Sequence, residues 1–408
     1  PYHLYALSNF GSLLALATYP FIIEPTFGLS SQQFLWSLMF LLFAALIATL
    51  ARAVQKRGEA DIAAVHSKET VPMVLLLKWL VLAAVPAILL VATTTRITQV
   101  LVPVPFLWVV PLTLYLLTFI IAFRGYGSGG LTPVAVIVAA LASYTYLDYA
   151  FATVPYQMAS NLALFFFGAL YCHALLYKLR PQAELSSFYY VWVSLGGAAG
   201  TLLVTLVAPV VFTDILEFPI GVAFLAALAI LAYPAAIYIR DEFRRHTVVI
   251  KAALLIGVVI FAGQYIEKGQ DNSALIASRN FYGVVKVYDY ETLRTLHHGT
   301  TLHGTQIIDA EDPARELIPT TYYSPSSGVG RAVINAQASS KDPVSVAVIG
   351  LGTGTIAAYC EPKDKLVYYE IDPRIGFIAN NYFTYLSQCP NADLRYGDGR
   401  LTMAKELE

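Results

Sequence analysis

The feature that most constrains this 408-residue chain is a succession of apolar runs, each long enough to cross a lipid bilayer. A helix needs about 20 apolar residues to span the hydrocarbon core. Runs of this kind fall at 3–23, 33–53, 73–92, 104–123, 131–149, 157–177, 188–212, 217–239 and 247–266. They predict a multi-pass α-helical membrane region of about nine transmembrane helices over residues 1–266.

Charged side chains divide the chain near residue 266. Residues 1–266 contain 23 Asp, Glu, Lys and Arg, whereas residues 267–408 contain 30, so the charged fraction rises from roughly 9% to roughly 21%. The second value is close to the average of about 25% for soluble proteins. We therefore expect a soluble C-terminal part. Neither part has the clustered basic excess of a nucleic-acid surface, which excludes DNA and RNA as partners.

Basic residues in the loops predict the orientation of the membrane region. The loops after the first, third, fifth and seventh predicted helices contain only Arg96, and the other loops contain ten basic residues. These are Arg52, Lys56, Arg57, Lys68, Arg124, Lys178, Arg180, Arg240, Arg244 and Arg245. The positive-inside rule places them in the cytoplasm. If the ninth segment crosses fully, the soluble part lies outside the cell; if it re-enters or lies along the interface, the soluble part lies inside.

One pair of glycines in the membrane region predicts close helix packing. Gly196 and Gly200 lie four positions apart in an apolar run, a spacing that allows close approach of two helices.

Cys172, Cys360 and Cys389 are far apart, so we expect neither a disulfide framework nor a zinc site. No acidic or cysteine ligand completes a metal-binding spacing, and no metal is expected. Because the sequence begins without Met, the chain is expected to be part of a longer protein.

The pattern after residue 267 changes to that of strands. Short β-rich stretches at 284–290, 292–298 and 304–308 predict a small antiparallel sheet within a linker and sheet domain, residues 267–340. Strands and helices then alternate over residues 341–408, with strands at 344–350, 365–371 and 393–396. This alternation is typical of a parallel sheet covered by helices.

The first predicted parallel strand runs into a glycine-rich loop with Gly350, Gly352 and Gly354. Glycines there permit a tight turn and close approach of a ligand to the backbone near a helix N-terminus. The dinucleotide fingerprint needs its third glycine one position later, where this chain has Thr355. The spacing argues against a typical NAD site. It fits the loop of adenosylmethionine-dependent transferases, whose ligand has no pyrophosphate.

Acidic residues follow the next two strands. Glu370 lies 20 positions after Gly350, the separation at which an acid at the end of the second strand can bind both ribose hydroxyls. Asp372 follows it in the sequence Glu-Ile-Asp. Asp398, in Gly-Asp-Gly after the third strand, can accept a hydrogen bond from an exocyclic amine such as that of adenine. Three such strand ends in order predict a nucleoside-binding site.

These motifs resemble the spermidine synthase (polyamine aminopropyltransferase) family over residues 278–408, and the whole chain resembles bacterial membrane proteins that fuse a multi-helix region to such a domain. The resemblance implies a methyltransferase-like (Rossmann-type) α/β domain that is incomplete in this chain. It also implies that Glu370 holds the ribose and Asp398 the adenine, with Gly350, Gly352, Thr353, Gly354 and Asp372 also at the cofactor. Gln306, Tyr323 and His303 would border the substrate cleft, although either Tyr322 or Tyr323 fits the tyrosine position.

The chain departs from the family pattern at two points. The synthases have an Asp in the glycine loop that pairs with the amine of decarboxylated S-adenosylmethionine, and here that position is Thr353. A neutral hydroxyl cannot replace a charge-assisted hydrogen bond, so ordinary S-adenosylmethionine or another adenosyl thioether becomes the more credible cosubstrate. The family's catalytic aspartate is expected beyond residue 408, and no catalytic residue can be named within the chain.

The sequence thus leads to two hypotheses. The first is a membrane-bound transferase that moves an aminopropyl or related group to a small amine or polyamine-like substrate. The alternative is a transporter or membrane scaffold whose soluble part only senses a nucleotide-like ligand. The lipid bilayer is the expected partner in both cases, and a homo-oligomer is left open. Because adenosylmethionine is made in the cytosol, we expect a multi-pass protein of the cell membrane with a cytosolic soluble domain.

Overall fold

The computed structural model describes residues 2–57, 71–101, 106–127, 136, 153–232, 244–269 and 273–406. The first two thirds of the described chain are helical. The helices are α1 Tyr2–Thr18, α2 Leu29–Arg57, α3 Met73–Thr95, α4 Val109–Phe123, α5 Val154–Lys178, α6 Ser186–Leu202, α7 Glu217–Ala232 and α8 Arg244–Gly269. They coincide with all but one of the predicted apolar runs. The remaining run, 131–149, lies almost wholly outside the described residues.

Within these described residues, five helical segments are long and apolar enough to cross a membrane. They are Tyr2–Thr26, Leu29–Gln55, Met73–Gln99, Val154–Lys178 and Ala183–Val211, and three shorter apolar helices accompany them. The apolar side chains of α2, such as Leu38 and Phe40, are exposed in the structure. A wide exposed apolar surface of this kind suits contact with lipid. The chain is therefore a membrane protein in its N-terminal part.

The chain folds into two compact units. We call residues 1–98, 102–207 and 216–267 the helical unit, and residues 99–101, 208–215 and 268–408 the α/β unit. The α/β unit thus includes a short segment, 208–215, that lies in sequence between α6 and α7. Each unit has a buried core of its own.

Close packing of α6 against α3 organises the core of the helical unit. A Cβ added at Gly196 would lie 2.3 Å from the carbonyl oxygen of Leu80, and one at Gly200 would lie 2.4 Å from that of Ala84. Only hydrogen fits at such separations, so the predicted close approach at these glycines is confirmed. Gly197, one position along, has nothing within 4 Å of its Cβ position.

This difference predicts opposite effects of alanine at neighbouring positions. We expect Gly196→Ala to separate α3 from α6 and to lower the free energy of unfolding of the helical unit by about 1–3 kcal/mol. We expect Gly197→Ala to leave it unchanged or to raise it by up to about 1 kcal/mol through helix propensity. Thermal unfolding of the detergent-solubilised variants measures both. Equal destabilisation by the two substitutions would contradict the packing described.

The α/β unit contains two sheets. Strands β1 Ala274–Asn280, β2 Gly283–Asp289, β3 Leu293–His298 and β4 Thr301–Ile307 form an antiparallel sheet in sequential order. Strands β5 Ser345–Ile349, β6 Lys365–Glu370 and β7 Asp393–Tyr396 form a parallel sheet, also in sequential order. Helices α9 Gly328–Ser339, α10 Pro373–Tyr382 and α11 Gly399–Glu406 accompany them. The small antiparallel sheet predicted from the sequence is present, and β1 extends it by a strand that the sequence did not indicate.

One core joins the two sheets. Val285 and Val287 from β2 and Leu296 from β3 belong to the same buried cluster as Leu366 and Tyr368 from β6. The β-branched and aromatic side chains of these strands suit burial between two layers. The shared core brings β4 close to the loop that follows β5, and this placement decides the shape of the candidate site.

The cysteines of the α/β unit depart from expectation. Cys360 and Cys389, with Cα atoms 5.6 Å apart, form a disulfide, a pairing that their wide separation in the sequence did not indicate. They are 29 residues apart in sequence, and the fold brings together the connection before β6 and the connection before β7. Cys172 is a buried free thiol. Disulfides persist in oxidising compartments and are rare in the cytosol.

Candidate functional site

The carboxyl ends of the three parallel strands meet at one edge of the sheet. The pairing places Ile349 beside Tyr369 and Glu370 beside Tyr396. It continues one residue further, because Gly350 N–H donates to the Tyr369 carbonyl at 2.8 Å and Gly397 N–H to the Glu370 carbonyl at 2.9 Å. In open α/β sheets this edge is where ligands bind. The three predicted strand ends are therefore neighbours in space.

The three glycines of the loop after β5 adopt backbone conformations that favour glycine. Gly350, Gly352 and Gly354 adopt φ values of 88°, 58° and 79°, a left-handed region that favours glycine. The Cβ position of Gly350 has nothing within 4 Å, whereas that of Gly352 lies 3.0 Å from the carbonyl oxygen of His303 in β4. The loop is thus open at its start and covered by β4 in its middle.

Glu370 connects the loop to the second strand end. Its carboxylate accepts hydrogen bonds from the backbone N–H of Leu351 at 2.8 Å and of Asp372 at 2.9 Å, one at each oxygen. The residue is 7% exposed. A carboxylate has about four lone-pair sites, so each oxygen can accept a second hydrogen bond from a hydroxyl. The two N–H groups fix the orientation of the carboxylate.

Asp372 and Asp398 both cap helices. Asp372 precedes α10, and its carboxylate accepts from Arg374 N–H at 2.9 Å and from the Asn280 side chain at 2.8 Å. Asp398 precedes α11 and accepts from Leu401 N–H at 2.9 Å. Asp372 is buried and Asp398 is exposed. Of these two carboxylates, only Asp398 lies at the surface where a ligand can reach it.

Thr353 lies against β4 instead of facing an open cleft. It is 1% exposed, and its hydroxyl shares a 2.7 Å hydrogen bond with that of Thr355. A Cβ added at Gly304 of β4 would lie 2.3 Å from the Thr353 hydroxyl oxygen. Gly304 and Thr353 therefore fit each other because the glycine has no side chain. The position at which the resemblance expects an Asp is a packed contact between loop and sheet.

Gln306 is a buried link between β4 and the segment before β7. Its amide nitrogen donates to the Glu316 carbonyl at 2.9 Å and to the Thr384 hydroxyl, and its amide oxygen accepts from Thr384 N–H at 3.2 Å. Tyr385 supports the same region, because its hydroxyl lies 3.0 Å from the carbonyl oxygens of both Thr305 and Ile318 and its single proton can be donated to either. Gln306 is completely buried, so this conformation directs it to the protein and not to a substrate cleft.

Of the two candidate tyrosines, Tyr323 lies beside the glycine loop. Its hydroxyl oxygen is 4.0 Å from the Cβ position of Gly352, whereas Tyr322 is half exposed and its ring is tilted against that of Tyr323, with ring centroids 4.4 Å apart. Burial raises the pKa of the Tyr323 phenol. This phenol therefore stays neutral and can donate one hydrogen bond near the loop.

His303, in β4, lies near two histidines of β3, His297 and His298. Burial, with the nearby His298 and His297, lowers the pKa of His303 below its usual value. The rings of His298 and His303 are 5.9 Å apart, and His298 donates to the Tyr282 carbonyl at 3.0 Å. Among the described residues, no three His, Cys, Asp or Glu side chains are grouped as metal ligands.

Two residues that the sequence did not single out support the site. Asn280, at the end of β1, holds Asp372, and the Arg374 side chain donates to the Ser278 hydroxyl at 2.9 Å and to the carbonyl of Arg279. Neither belongs to a local motif, because the contacts join segments more than 90 residues apart. Only the tertiary fold identifies them.

Comparison with known proteins gives no match for this chain. No family model, no curated protein and no solved structure matches the chain. The class that the fold defines is a membrane protein with an α/β unit whose parallel strands end in a glycine loop and two acidic turns.

The lowered pKa of His303 predicts a pH dependence of stability. An unfolded histidine titrates near about 6.5, so at lower pH the unfolded chain binds a proton that folded His303 does not. Stability of the α/β unit should therefore fall as the pH drops below that value. Urea unfolding at pH 7.5 and 5.5 measures the loss, which His303→Gln should reduce; part remains because burial also lowers the pKa of His297.

The matched control is His3→Gln in α1, which should leave the loss in the α/β unit unchanged. An equal loss in wild type and His303→Gln would contradict this account of His303.

Proposed function

We propose that the chain is a membrane-bound, spermidine synthase-like transferase that binds an adenosylmethionine-type cosubstrate at the carboxyl edge of the parallel sheet. The observation that carries the proposal is the Glu370 carboxylate, which Leu351 and Asp372 hold by their N–H groups beside the glycine loop. A fixed anionic acceptor next to an open glycine suits the two hydroxyls of a ribose. Three parallel strands in sequential order are consistent with the first half of a Rossmann-type domain.

The remaining ligand contacts follow from the neighbouring strand end. The exposed Asp398 lies after β7, next to the end of β6, where it can accept a hydrogen bond from an adenine amine. The cosubstrate is S-adenosylmethionine or its decarboxylated form, and the acceptor is a small amine. In such a transfer the amine nitrogen attacks the carbon bonded to the sulfonium, the sulfur leaves as a thioether, and a base takes the amine proton.

A second function is favoured by the packing of Thr353. The resemblance assigns this loop position to the amine-bearing chain of the cosubstrate, yet β4 covers it through Gly304 and the His303 carbonyl. By contrast, the Cβ position of Gly350 has nothing within 4 Å and Asp398 is exposed, and these two positions suit a nucleoside without a long substituent. A transporter or scaffold with a nucleotide-sensing α/β unit needs no more than this.

Calorimetric titration of the full chain separates the two functions. The transferase should bind S-adenosylmethionine or its decarboxylated form at least as tightly as methylthioadenosine, whereas the sensor should bind only adenosine and methylthioadenosine. In either case Glu370→Gln should weaken binding about tenfold or more, because it removes charge-assisted hydrogen bonds of about 1.5–3 kcal/mol each. Asp398→Asn should weaken adenine recognition in the same direction.

The matched control is Asp393→Asn, which changes an exposed acid at the opposite end of β7. It should bind like wild type, and thermal unfolding should show that all three variants are folded. Failure of every adenosyl compound to bind the wild-type protein would contradict both functions.

The two functions also differ in the side of the membrane that they require. A transferase needs the α/β unit in the cytosol, where adenosylmethionine is made, and this placement is part of the first proposal. The Cys360–Cys389 disulfide favours an oxidising compartment instead. Helix α8 runs for 26 residues, about 39 Å at 1.5 Å per residue, which is long enough to cross a bilayer or to lie along its surface. A sensor works on either side.

Maleimide labelling in intact cells decides the side. With Glu291→Cys in the exposed turn after β2, a transferase predicts labelling by a membrane-impermeant maleimide only after permeabilisation. Arg180→Cys, in a loop that the charge pattern assigns to the cytoplasm, is the control and should need permeabilisation in both cases. Labelling of Glu291→Cys from outside would contradict the cytosolic placement and favour the sensor.

A further inference from the structure

The segment Ala208–Ile215 belongs to the α/β unit although its neighbours in sequence belong to the helical unit. Its short helical turn, Ala208–Val211, contacts β1. The chain enters this segment from the helical stretch that continues α6 and leaves it just before α7. The segment is therefore joined covalently to both of these helices.

Asp214 fastens the segment to the antiparallel sheet. Its carboxylate forms an ion pair with Lys286 of β2 at 2.7 Å, and its backbone carbonyl accepts from the guanidinium of Arg279 in β1. The side chains of Asp214 and Lys286 are only 21% and 15% exposed. Partial burial reduces the solvent screening that weakens surface ion pairs, so the attraction between Asp214 and Lys286 is stronger than that of an exposed pair.

The end of β1 is in turn fastened to the turn after β6. The carbonyl of Arg279 accepts from the side chain of Arg374, and the side chain of Asn280 donates to the Asp372 carboxylate at 2.8 Å. The same carboxylate oxygen accepts from Arg374 N–H at 2.9 Å. Two adjacent residues of β1 therefore hold the Asp372–Arg374 turn.

The turn leads directly to the candidate ligand site. Asp372 N–H donates to one oxygen of Glu370, and Leu351 N–H in the glycine loop donates to the other. The contacts thus form an unbroken series from Asp214 through Arg279, Asn280, Asp372 and Glu370 to Leu351. Each member is bonded to the next by a hydrogen bond or is adjacent to it in sequence.

We infer that Asp214 and Asn280 are positioning residues through which the Ala208–Ile215 segment sets the orientation of Glu370, so that ligand binding at the glycine loop is coupled to helices α6 and α7. This rests on the proposed function in one respect only, namely that Glu370 binds the ligand. The coupling is reciprocal: a ligand that fixes Glu370 must also fix the segment. The inference assigns to the α/β unit a mechanical connection with the membrane helices that both proposed functions can use.

Hydrogen exchange of the full chain in nanodiscs tests the coupling without a ligand. Asp214→Asn and Lys286→Gln each remove the ion pair, and each should speed exchange in peptides covering 350–354 and 370–374. Asp289→Asn is the matched control, because it breaks the Asp289–Arg294 pair at the other end of β2, outside the series. It should leave those peptides unchanged. If Asp214→Asn does not fold, Lys286→Gln decides the outcome.

Titration with methylthioadenosine then tests the connection to binding. Asp214→Asn, Lys286→Gln and Asn280→Ala should each weaken its affinity at least about fivefold, the lower range of allosteric couplings, and bound ligand should slow exchange in 208–215. Unchanged exchange at 350–354 and 370–374 in both ion-pair variants overturns the inference. Failure of methylthioadenosine to bind wild-type protein counts against the proposed function, whereas the ligand-free exchange still decides the coupling.

Discussion

The two hydrogen bonds to the Glu370 carboxylate hold the candidate site together. They join the glycine loop after β5 to the turn after β6, and the backbone bond from Gly397 to the Glu370 carbonyl adds the end of β7. A carboxylate that accepts two backbone N–H groups is oriented before a ligand arrives. Ribose recognition at this site would therefore require little reorganisation of the protein, which is the condition under which a few polar contacts give useful affinity.

Much of the fold was predictable because its causes are local. The length of an apolar run is set by the bilayer, so the described helices coincide with the predicted runs. The glycine loop and the three parallel strands were likewise predictable. The positive φ values of the loop and the alternation of strands with helices both depend on residues that are close together in the sequence. Strand β1 was missed because Ala274–Asn280 contains Ser, Arg and Asn instead of an alternating apolar pattern. The antiparallel pairing of β1 with β2 makes this segment a strand, which its own composition does not predict.

The parts of the site that the sequence could not predict depend on tertiary contacts. Thr353 was recognised as a departure from the family pattern, but its partner Gly304 lies 49 positions earlier and became apparent only from the packing of β4 on the loop. Gln306 has the residue type of a cleft amide, yet its three hydrogen bonds are all to the protein. The Cys360–Cys389 pair was missed because the two residues are 29 positions apart and only the fold brings the two connections together.

The disulfide and the Gly304–Thr353 contact act on the same connection from opposite ends. The connection from β5 to β6 begins at the glycine loop, where β4 covers Thr353, and passes Cys360, which is tied to Cys389. Restraint at both ends limits how far the middle of the loop can move away from β4. Opening the covered part for an amine-bearing chain would have to break the packing at Gly304, whereas a nucleoside at Gly350 and Glu370 requires no such movement. Under the proposed function, the nucleoside is therefore the part of the ligand that would bind with the least movement of the protein, and transferase activity would depend on accepting the longer chain.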